Sequence, residues 1–381
     1  MRRHSRTRAG IALLLALVVV VVLTSFLSEL FLDTGLEVRA IENFRDSAQA
    51  QTLARSAFKA VEVALKQQPE KQFVFGFRQI ASLMSLSSVP FESGLLTRLQ
   101  VSSMDGLFNV NALGKIRPNT SESTLRWALF RNALAAIRMP SGPDGSTLPT
   151  PTDVQVIGLY SALVDWIDDD DTEYVDLGGR GAERRDYAAE GALYTIKNAP
   201  LDRLEEMRLV RGFDTIGLPW PEIENRFDAL PSASAPKGGG SYLPEKLDLN
   251  LASREQLVSF LTEHRVDDPK VLNDATYGAV QKNINTLADQ VDAVAAALVP
   301  DSGDRPFFDK VADAQNVMRQ AGFSDVGALD PFFSTCSQFL RVRITVAVNG
   351  AQSTLDAQLQ VTRDGTCGAA SKLDIIRYTQ S

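Results

Sequence analysis

Residues 1–30 read MRRHSRTRAGIALLLALVVVVVLTSFLSEL, and their reading decides the class of the chain. Arg2, Arg3, Arg6 and Arg8 precede Ala9-Gly10, after which an apolar run extends from Ile11 to Leu27, broken only by Thr24 and Ser25. A cationic leader keeps its own end of such a helix on the cytoplasmic side. Ile11 to about Leu32 is long enough to cross a bilayer. A secretory signal peptide shares the same order of charge and apolar run, but it needs a small-residue cleavage site after the run. There the chain has Thr24-Ser25-Phe26-Leu27-Ser28-Glu29, with no Ala-x-Ala. The small pair at a boundary, Ala9-Gly10, lies in front of the run. A cut after it removes the arginines and leaves the hydrophobic helix attached.

The rest of the composition narrows the function. At 381 residues with net charge −8, the chain can build one large domain or two ordinary ones. Without residues 1–10 it keeps 35 basic against 47 acidic residues, a net charge near −12. An acidic exterior repels phosphate backbones, so nucleic acid is not an expected partner. Only His4 and His264 are present. A Ser-His-Asp triad would have to use His264, with no G-x-S-x-G elbow beside it, and a zinc site would have only Cys336 and Cys367 to join it. No enzymatic activity is expected. Both cysteines follow a membrane anchor in a part placed outside the cytoplasm, where a Cys336–Cys367 disulfide is admissible; two free buried thiols are the other reading.

From Ile41 to Lys66 the helical spacing continues, with Phe44, Ala48, Leu53, Phe58, Val61 and Leu65 on one stripe and no Pro or Gly until Pro69. One long helix is expected, amphipathic in its second half. Its partner is expected at the C-terminus. Leu340, Val342, Ile344, Val346 and Val348 alternate with Arg341, Arg343, Thr345 and Ala347, the period of a half-buried strand. Asn349-Gly350 then signals a two-residue hairpin. That turn sets Ile344 opposite Leu355, Val342 opposite Ala357 and Leu340 opposite Leu359, so the apolar faces match. Asp364-Gly365 suggests a second turn and Leu373–Tyr378 a third strand, an arrangement that puts the cysteines on two outer strands, too far apart to bridge unless the ends curl together. Gln72–Phe77 and Leu96–Ser102 are read as edge strands.

Between 109 and 330 the pattern changes to short helices. Thr152 caps a segment in which Val156, Ile157, Tyr160, Leu163, Val164 and Ile167 share a face, and Ser253-Arg-Glu-Gln256 is a capping box. Thr286–Leu298 and Phe307–Gln320 read as helices, the latter stopped by Gly322. Ser141–Thr150 and Pro231–Ser241 are polar loops. Asp105–Leu113 and Glu245–Ser253 each place an Asn-containing apolar turn before a helix; two related modules and coincidence both fit. The second segment also resembles the lead into DNA-gripping helical hairpins, but Leu261-Thr-Glu-His-Arg-Val-Asp-Asp268 lacks the glycine turn that would present amides to phosphate.

One stretch is electrostatically out of place. Asp165-Trp-Ile-Asp168-Asp-Asp170-Asp171-Thr-Glu173 ends a helix at its negative pole. A cation would neutralise it, and calcium suits carboxylate and carbonyl oxygens. The EF-hand template fails, since Tyr174 and Arg180 stand where Gly and Glu belong. The candidate ligands are Asp168, Asp170 and Glu183, with Asp165, Asp171 and Asp186 near them in sequence. A solvated acidic loop paired to Arg180, Arg184 and Arg185 is the alternative.

Four patches together resemble the K-type minor pseudopilins of bacterial type II (general) secretion systems: Gly10-Ile-Ala-Leu13, Phe108-Asn-Val-Asn-Ala-Leu113, Asp165-Trp-Ile-Asp-Asp-Asp170 with Gly181-Ala-Glu183, and Leu209-Val-Arg-Gly-Phe213. The resemblance implies an α+β, pilin-like fold, in which a long N-terminal transmembrane helix packs on an antiparallel sheet that carries a large inserted all-helical domain. The corresponding segments are a basic leader (1–10), the transmembrane part of the helix (11–34), its continuation with the first strands (35–108), the insertion (109–330) and the closing strands (331–381). It implies cleavage between Gly10 and Ile11 by a prepilin peptidase and N-methylation of Ile11. It further implies a single-pass inner-membrane location with a periplasmic C-terminal part, and structural calcium in the insertion. The implied partners are the I-type and J-type minor pseudopilins and the inner-membrane platform, at the pseudopilus tip during export of folded proteins. A type IV minor pilin, or a calcium-dependent periplasmic module contacting secreted substrates, are the alternatives. Ordinary subunits carry Glu at mature position five; here it is Leu15. An unpaired carboxylate in lipid is costly, so Leu15 suits a subunit with no neighbour above it. Arg184-Arg185 after Glu183 departs from the family, where an acidic residue is more usual.

Overall fold

The structure is a computed structural model that describes residues 5–86, 88–137, 150–230, 246–300, 305–323, 326–327, 329–363 and 367–381, with side chains from residue 16 onward except 81–86. Helix α1 (Ser5–Gln67) runs unbroken. Among the described residues it is the one helix long and apolar enough to cross a membrane. Gly10, Ile11 and Leu15 are described only as its backbone, and residues 1–4 lie outside the described residues.

Helix α1 packs on a five-stranded sheet of order β1-β2-β9-β10-β11, formed by β1 (Val89–Phe91), β2 (Gly94–Ser103), β9 (Phe339–Val348), β10 (Ala351–Arg363) and β11 (Ala370–Gln380). The buried stripe is Ala50, Leu53, Ala54, Ala57, Phe58, Val61 and Leu65, the three- and four-residue spacing of one helix face. It begins later than expected, because Phe44 is 78% exposed. The reason is the hairpin tip, where Asn349 Nδ2 donates to Asp46 Oδ1 at 3.3 Å; above that level the helix has no sheet to cover it. The hairpin register is the expected one, Ile344 with Leu355, Val342 with Ala357 and Leu340 with Leu359. Both turn residues carry positive φ, 47° at Asn349 and 94° at Gly350, as a type I′ turn requires. Leu340, Val342, Ile344 and Val346 are completely buried, each worth about 1.5–3 kcal/mol relative to exposure.

Three expectations fail here. Residues 70–86 form a helix, α2 (Glu70–Leu86), and not an edge strand. The alternating Phe73, Phe75 and Phe77 imitate a strand because α2 has two neighbours: Phe73, Val74 and Phe77 join the sheet core, while the partly exposed Phe75 meets Phe307 of the insertion at 5.8 Å. Strand β2 is internal, between β1 and β9, since the chain leaves the sheet at Ser103 and re-enters beside the same strand. The cysteines lie on no strand; they occupy the segment entering β9 and the loop between β10 and β11. Antiparallel pairing brings those segments to one end of the sheet, so Cys336 and Cys367 are disulfide-bonded with Cα atoms 5.5 Å apart. The Asp364-Gly365 turn lies outside the described residues.

Between β2 and β9 stand two helical units with separate apolar cores. Each is closed by a two-residue parallel strand pair. In the first, β3 (Phe108–Asn109) pairs with β6 (Phe227–Asp228); in the second, β7 (Leu247–Asp248) pairs with β8 (Phe333–Ser334). In each unit a buried asparagine two residues on ties loops together. Asn111 Nδ2 donates to Leu201 O and Leu230 O while its Oδ1 accepts from Leu201 N. Asn250 Nδ2 donates to Phe308 O and Thr335 O while its Oδ1 accepts from Phe308 N. The two segments with similar sequence therefore do the same job. Holding Phe308 N on Asn250 also delays the expected Phe307 helix, which begins at Val311. The expected Thr286–Leu298 helix is two, Gly278–Ala288 and Val291–Leu298, because Gln290 leaves helical geometry (φ −123°, ψ 31°). The bend lets Ile284, Leu287, Val294 and Leu298 enter one core. Both polar loops of the insertion lie almost wholly outside the described residues.

Candidate metal centre

The acidic segment follows α4 (Asp153–Ile167), the helix after α3 (Ser121–Ala135) in the first unit. Thr152 accepts from Gln155 N and Gln155 returns a contact to Thr152 N, fixing the start of α4. Val156, Leu159, Tyr160, Leu163, Trp166 and Ile167 are buried along it. Asp168 is its C-cap with extended backbone (φ −70°, ψ 175°), so the chain turns away just where the acids begin. A short hairpin of β4 (Val175–Asp176) and β5 (Gly179–Arg180) reverses it, with Leu177 and Gly178 at positive φ in its turn. That reversal carries Glu183 back under the end of α4, where it precedes α5 (Arg184–Ala189). Gly181 is needed for the approach, since a Cβ there would stand 1.9 Å from Asp165 Oδ2.

Asp168, Asp170 and Glu183 each place a carboxylate oxygen within 4.8 Å of the others. Glu183 is 3% exposed. Neither of its oxygens has a hydrogen-bond partner, nor do Asp168 Oδ1 and Asp165 Oδ2. Asp165 lies beneath, its Oδ1 accepting from Tyr174 N at 2.7 Å. The remaining two candidates are occupied otherwise. Asp171 Oδ1 accepts from Asn198 Nδ2 at 3.1 Å, and Asp186 Oδ2 accepts from Glu183 N at 2.9 Å.

The arginines do not neutralise the cluster. Arg180 and Arg185 both grip Glu173, which holds the Glu173 carboxyl below its usual range; Arg185 also approaches Asp186 at 3.7 Å. Burial first, then the charges of Asp165, Asp170 and Glu183, pushes Asp168 up to about 7. Burial also raises Asp165 to about 7, with Glu183 adding to it, and raises Glu183, with Asp171 adding to it. Buried carboxylates without partners are stable only when protonated or bound to a cation. Oxygens on opposite sides of a calcium ion are about 5 Å apart, so the donor set and its spacing fit that ion. The sequence reading missed Asn198. Its Nδ2 holds Asp170 O at 2.6 Å, its φ is 46°, and its Oδ1 is buried without a partner. Nothing in Lys197-Asn198-Ala199 marks it. Elsewhere Glu70 lies beside Cys336 and Cys367, but those sulfurs are spent in the disulfide.

Comparison with known proteins bears on this unit above all. The sequence profile described as "Type II secretion system (T2SS), protein K" matches residues 106–217, the segment that contains every candidate ligand of the acidic loop. The Type II secretion system protein K of Pseudomonas aeruginosa is 26% identical over 211 residues, 54% of this chain and 58% of that protein. The chain thus matches less than two thirds of that relative's length. A solved structure, the GspK-GspI-GspJ complex from the enterotoxigenic Escherichia coli Type 2 Secretion System, is 18% identical with a TM-score of 0.48, covering 92% of this chain and 99% of that one. Residues 106–217 are thus similar to the protein K family of type II secretion systems.

Proposed function

We propose that this chain is a tip subunit of the type II secretion pseudopilus, which starts and caps the filament together with the I-type and J-type minor pseudopilins. One observation carries the reading: a membrane-length helix continues without a break into a sheet-packed half, and the sheet holds a two-unit helical insertion between neighbouring strands. Such an insertion is too bulky to repeat along a helical filament, so no further subunit stacks above it. Leu15 in place of a carboxylate agrees with a subunit that answers to no neighbour above. The role is structural, not catalytic. The apolar helix keeps the subunit in the inner membrane, with the sheet and insertion in the periplasm, until assembly on the inner-membrane platform for export of folded proteins. Lipid offers no hydrophobic drive for helix pairing, so partner choice rests on the periplasmic part.

Two modifications belong to this reading: cleavage by a prepilin peptidase between Gly10 and Ile11, and methylation of Ile11. Calcium belongs to it as well. Asp168, Asp170 and Glu183 would hold the ion, with Asn198 Oδ1 within the same loop cluster. Bound there, calcium would supply the positive charge that lets the buried Glu183 and the half-buried Asp168 stay ionised beside the exposed Asp170. The chain's own residues do the rest: α4 ends at Asp168, the β4–β5 hairpin returns Glu183, and Gly181 leaves room for Asp165.

The test is intact mass and N-terminal sequencing of membrane-extracted protein, with co-purification of the I-type and J-type subunits. A chain beginning at methylated Ile11 and retaining both partners supports the proposal. A start beyond Ser25, or failure to retain either partner, overturns it.

A further inference from the structure

A second group of buried charges lies far from the acidic loop, where the second helical unit meets the sheet. Glu70, the first residue of α2, is 1% exposed, and Asp248 in β7 is fully buried. They belong to different bodies, the sheet half and the second unit, yet Ser337 joins them. Its amide N donates to Glu70 Oε1 at 3.3 Å, and its hydroxyl donates to Asp248 Oδ2. The disulfide holds that segment in place: Glu70 N donates to Cys367 O at 3.2 Å, one residue from Ser337 lies Cys336, and the two cysteines are bonded.

Three carboxylates and three guanidiniums meet at this junction, but among the described residues one ion pair joins them. That pair is Arg363, from β10, with Glu70, at 3.1 Å. The other donors of Arg363 are committed to Ser337 O at 2.6 Å and Gly368 O at 3.1 Å. Arg78 of α2 and Arg305 lie near Asp248, but their hydrogen bonds go to backbone oxygens: Arg78 to Asn250 O and Arg305 O, Arg305 to Leu249 O and Ala252 O. Asp105, following β2, adds a third carboxylate, occupied by Gln338 N and Phe339 N at 2.7 and 3.1 Å. We propose that Glu70, joined to Asp248 through Ser337, carries a proton in the closed form, making a clasp that fastens the second helical unit to the pilin-like sheet and loosens when that proton is lost.

Burial, then the charge of Asp248, lifts Glu70 to about 8 against the pull of Arg363; burial likewise raises Asp248. The sign follows from linkage. An acid that holds its proton more tightly in the closed form than in the open one favours closure at low pH, and the advantage is lost as pH rises from the ordinary carboxylate value toward about 8. With one proton released, the opening constant rises by at most about tenfold per pH unit. The clasp therefore makes the seating of the second unit responsive to the pH outside the inner membrane.

The experiment is hydrogen exchange read by mass spectrometry on the full chain in detergent, with calcium in excess, at several pH values from about 6 to about 8 and corrected for intrinsic exchange rates. Wild-type segments 70–78 and 335–340 are expected to lose protection severalfold to tenfold per pH unit. Glu70→Gln keeps a neutral group of the same shape and is expected to stay protected, with a flat profile. Should Glu70→Gln not fold, Asp248→Asn takes its place and is expected to flatten the profile by removing the repulsion. Wild-type protection that does not change with pH, or a variant that keeps the wild-type slope, overturns the proposal.

Discussion

Replacing Glu183 by Gln is expected to move stability in opposite directions with and without calcium. Glu183 is 3% exposed and both its oxygens are buried without partners, while its backbone N is already held by Asp186. Without metal, the carboxylate is a buried charge facing Asp168 and Asp170. Glu183→Gln removes that charge, keeps the volume and leaves the Asp186 contact intact. The calcium-free protein is therefore expected to gain about 1–2 kcal/mol, at the low end of the penalty for an unsatisfied buried group. With calcium the balance reverses. One of three carboxylate donors is gone, and a loss of about 10- to 100-fold in affinity removes about 1.4–2.7 kcal/mol of linked stabilisation at saturating metal. The measurement is denaturant unfolding of both proteins, in chelator and in millimolar calcium. Chelator leaves the variant above wild type; calcium puts it below. Equal destabilisation in both conditions would mean that Glu183 is a packing element, and no calcium dependence of wild type would return the segment to a solvated acidic loop. Either result refutes the metal site.

Three further outcomes are expected. Asn111→Ala and Asn250→Ala each strand two buried carbonyls and one N–H, so each should cost about 3 kcal/mol or more, read as a lower denaturant midpoint; a loss below about 1 kcal/mol at either site would contradict the shared role. Burial holds His264 down to about 4, against its hydrogen bond to Phe260 O. Its folded value lies below its unfolded one, so its contribution is complete at neutral pH and is lost as pH falls from 6.5 toward about 4. The stability difference between wild type and His264→Gln should shrink over that window, and a constant difference would show that the ring does not titrate there. Reducing the disulfide, which closes a separation of 31 residues, should cost about 3–4 kcal/mol on the chain-entropy account; Cys336→Ser with Cys367→Ser should melt correspondingly lower, and an unchanged melting temperature would remove the bridge from the stability of the fold.

What could be read from the sequence was whatever is encoded locally and in one direction. The hairpin register follows from period-two alternation and Asn349-Gly350, because a two-residue turn leaves one pairing that puts Leu340, Val342 and Ile344 on the same face as Leu355, Ala357 and Leu359. The acids at the end of α4 were visible because a run of like charge at a helix C-terminus opposes the helix dipole. Failure came where an element has two partners. Helix α2 buries Phe73 and Val74 against the sheet and turns Phe75 and Arg78 to the second unit, so its apolar residues are not confined to one stripe and the strand period wins by accident. Asn198 failed for another reason, since its importance lies in reaching Asp170 O across 28 positions of chain, which no local pattern records. The same logic separates the two charged clusters. The acidic loop lies within one unit and announces itself in a single run, whereas Glu70, Asp248, Ser337 and Arg363 come from four separate stretches and acquire a shared charge problem only after the second unit docks. A site whose members meet only through docking is one whose chemistry can sense docking, and for that reason the clasp, more than the loop, is where a change in protonation can alter the arrangement of the parts.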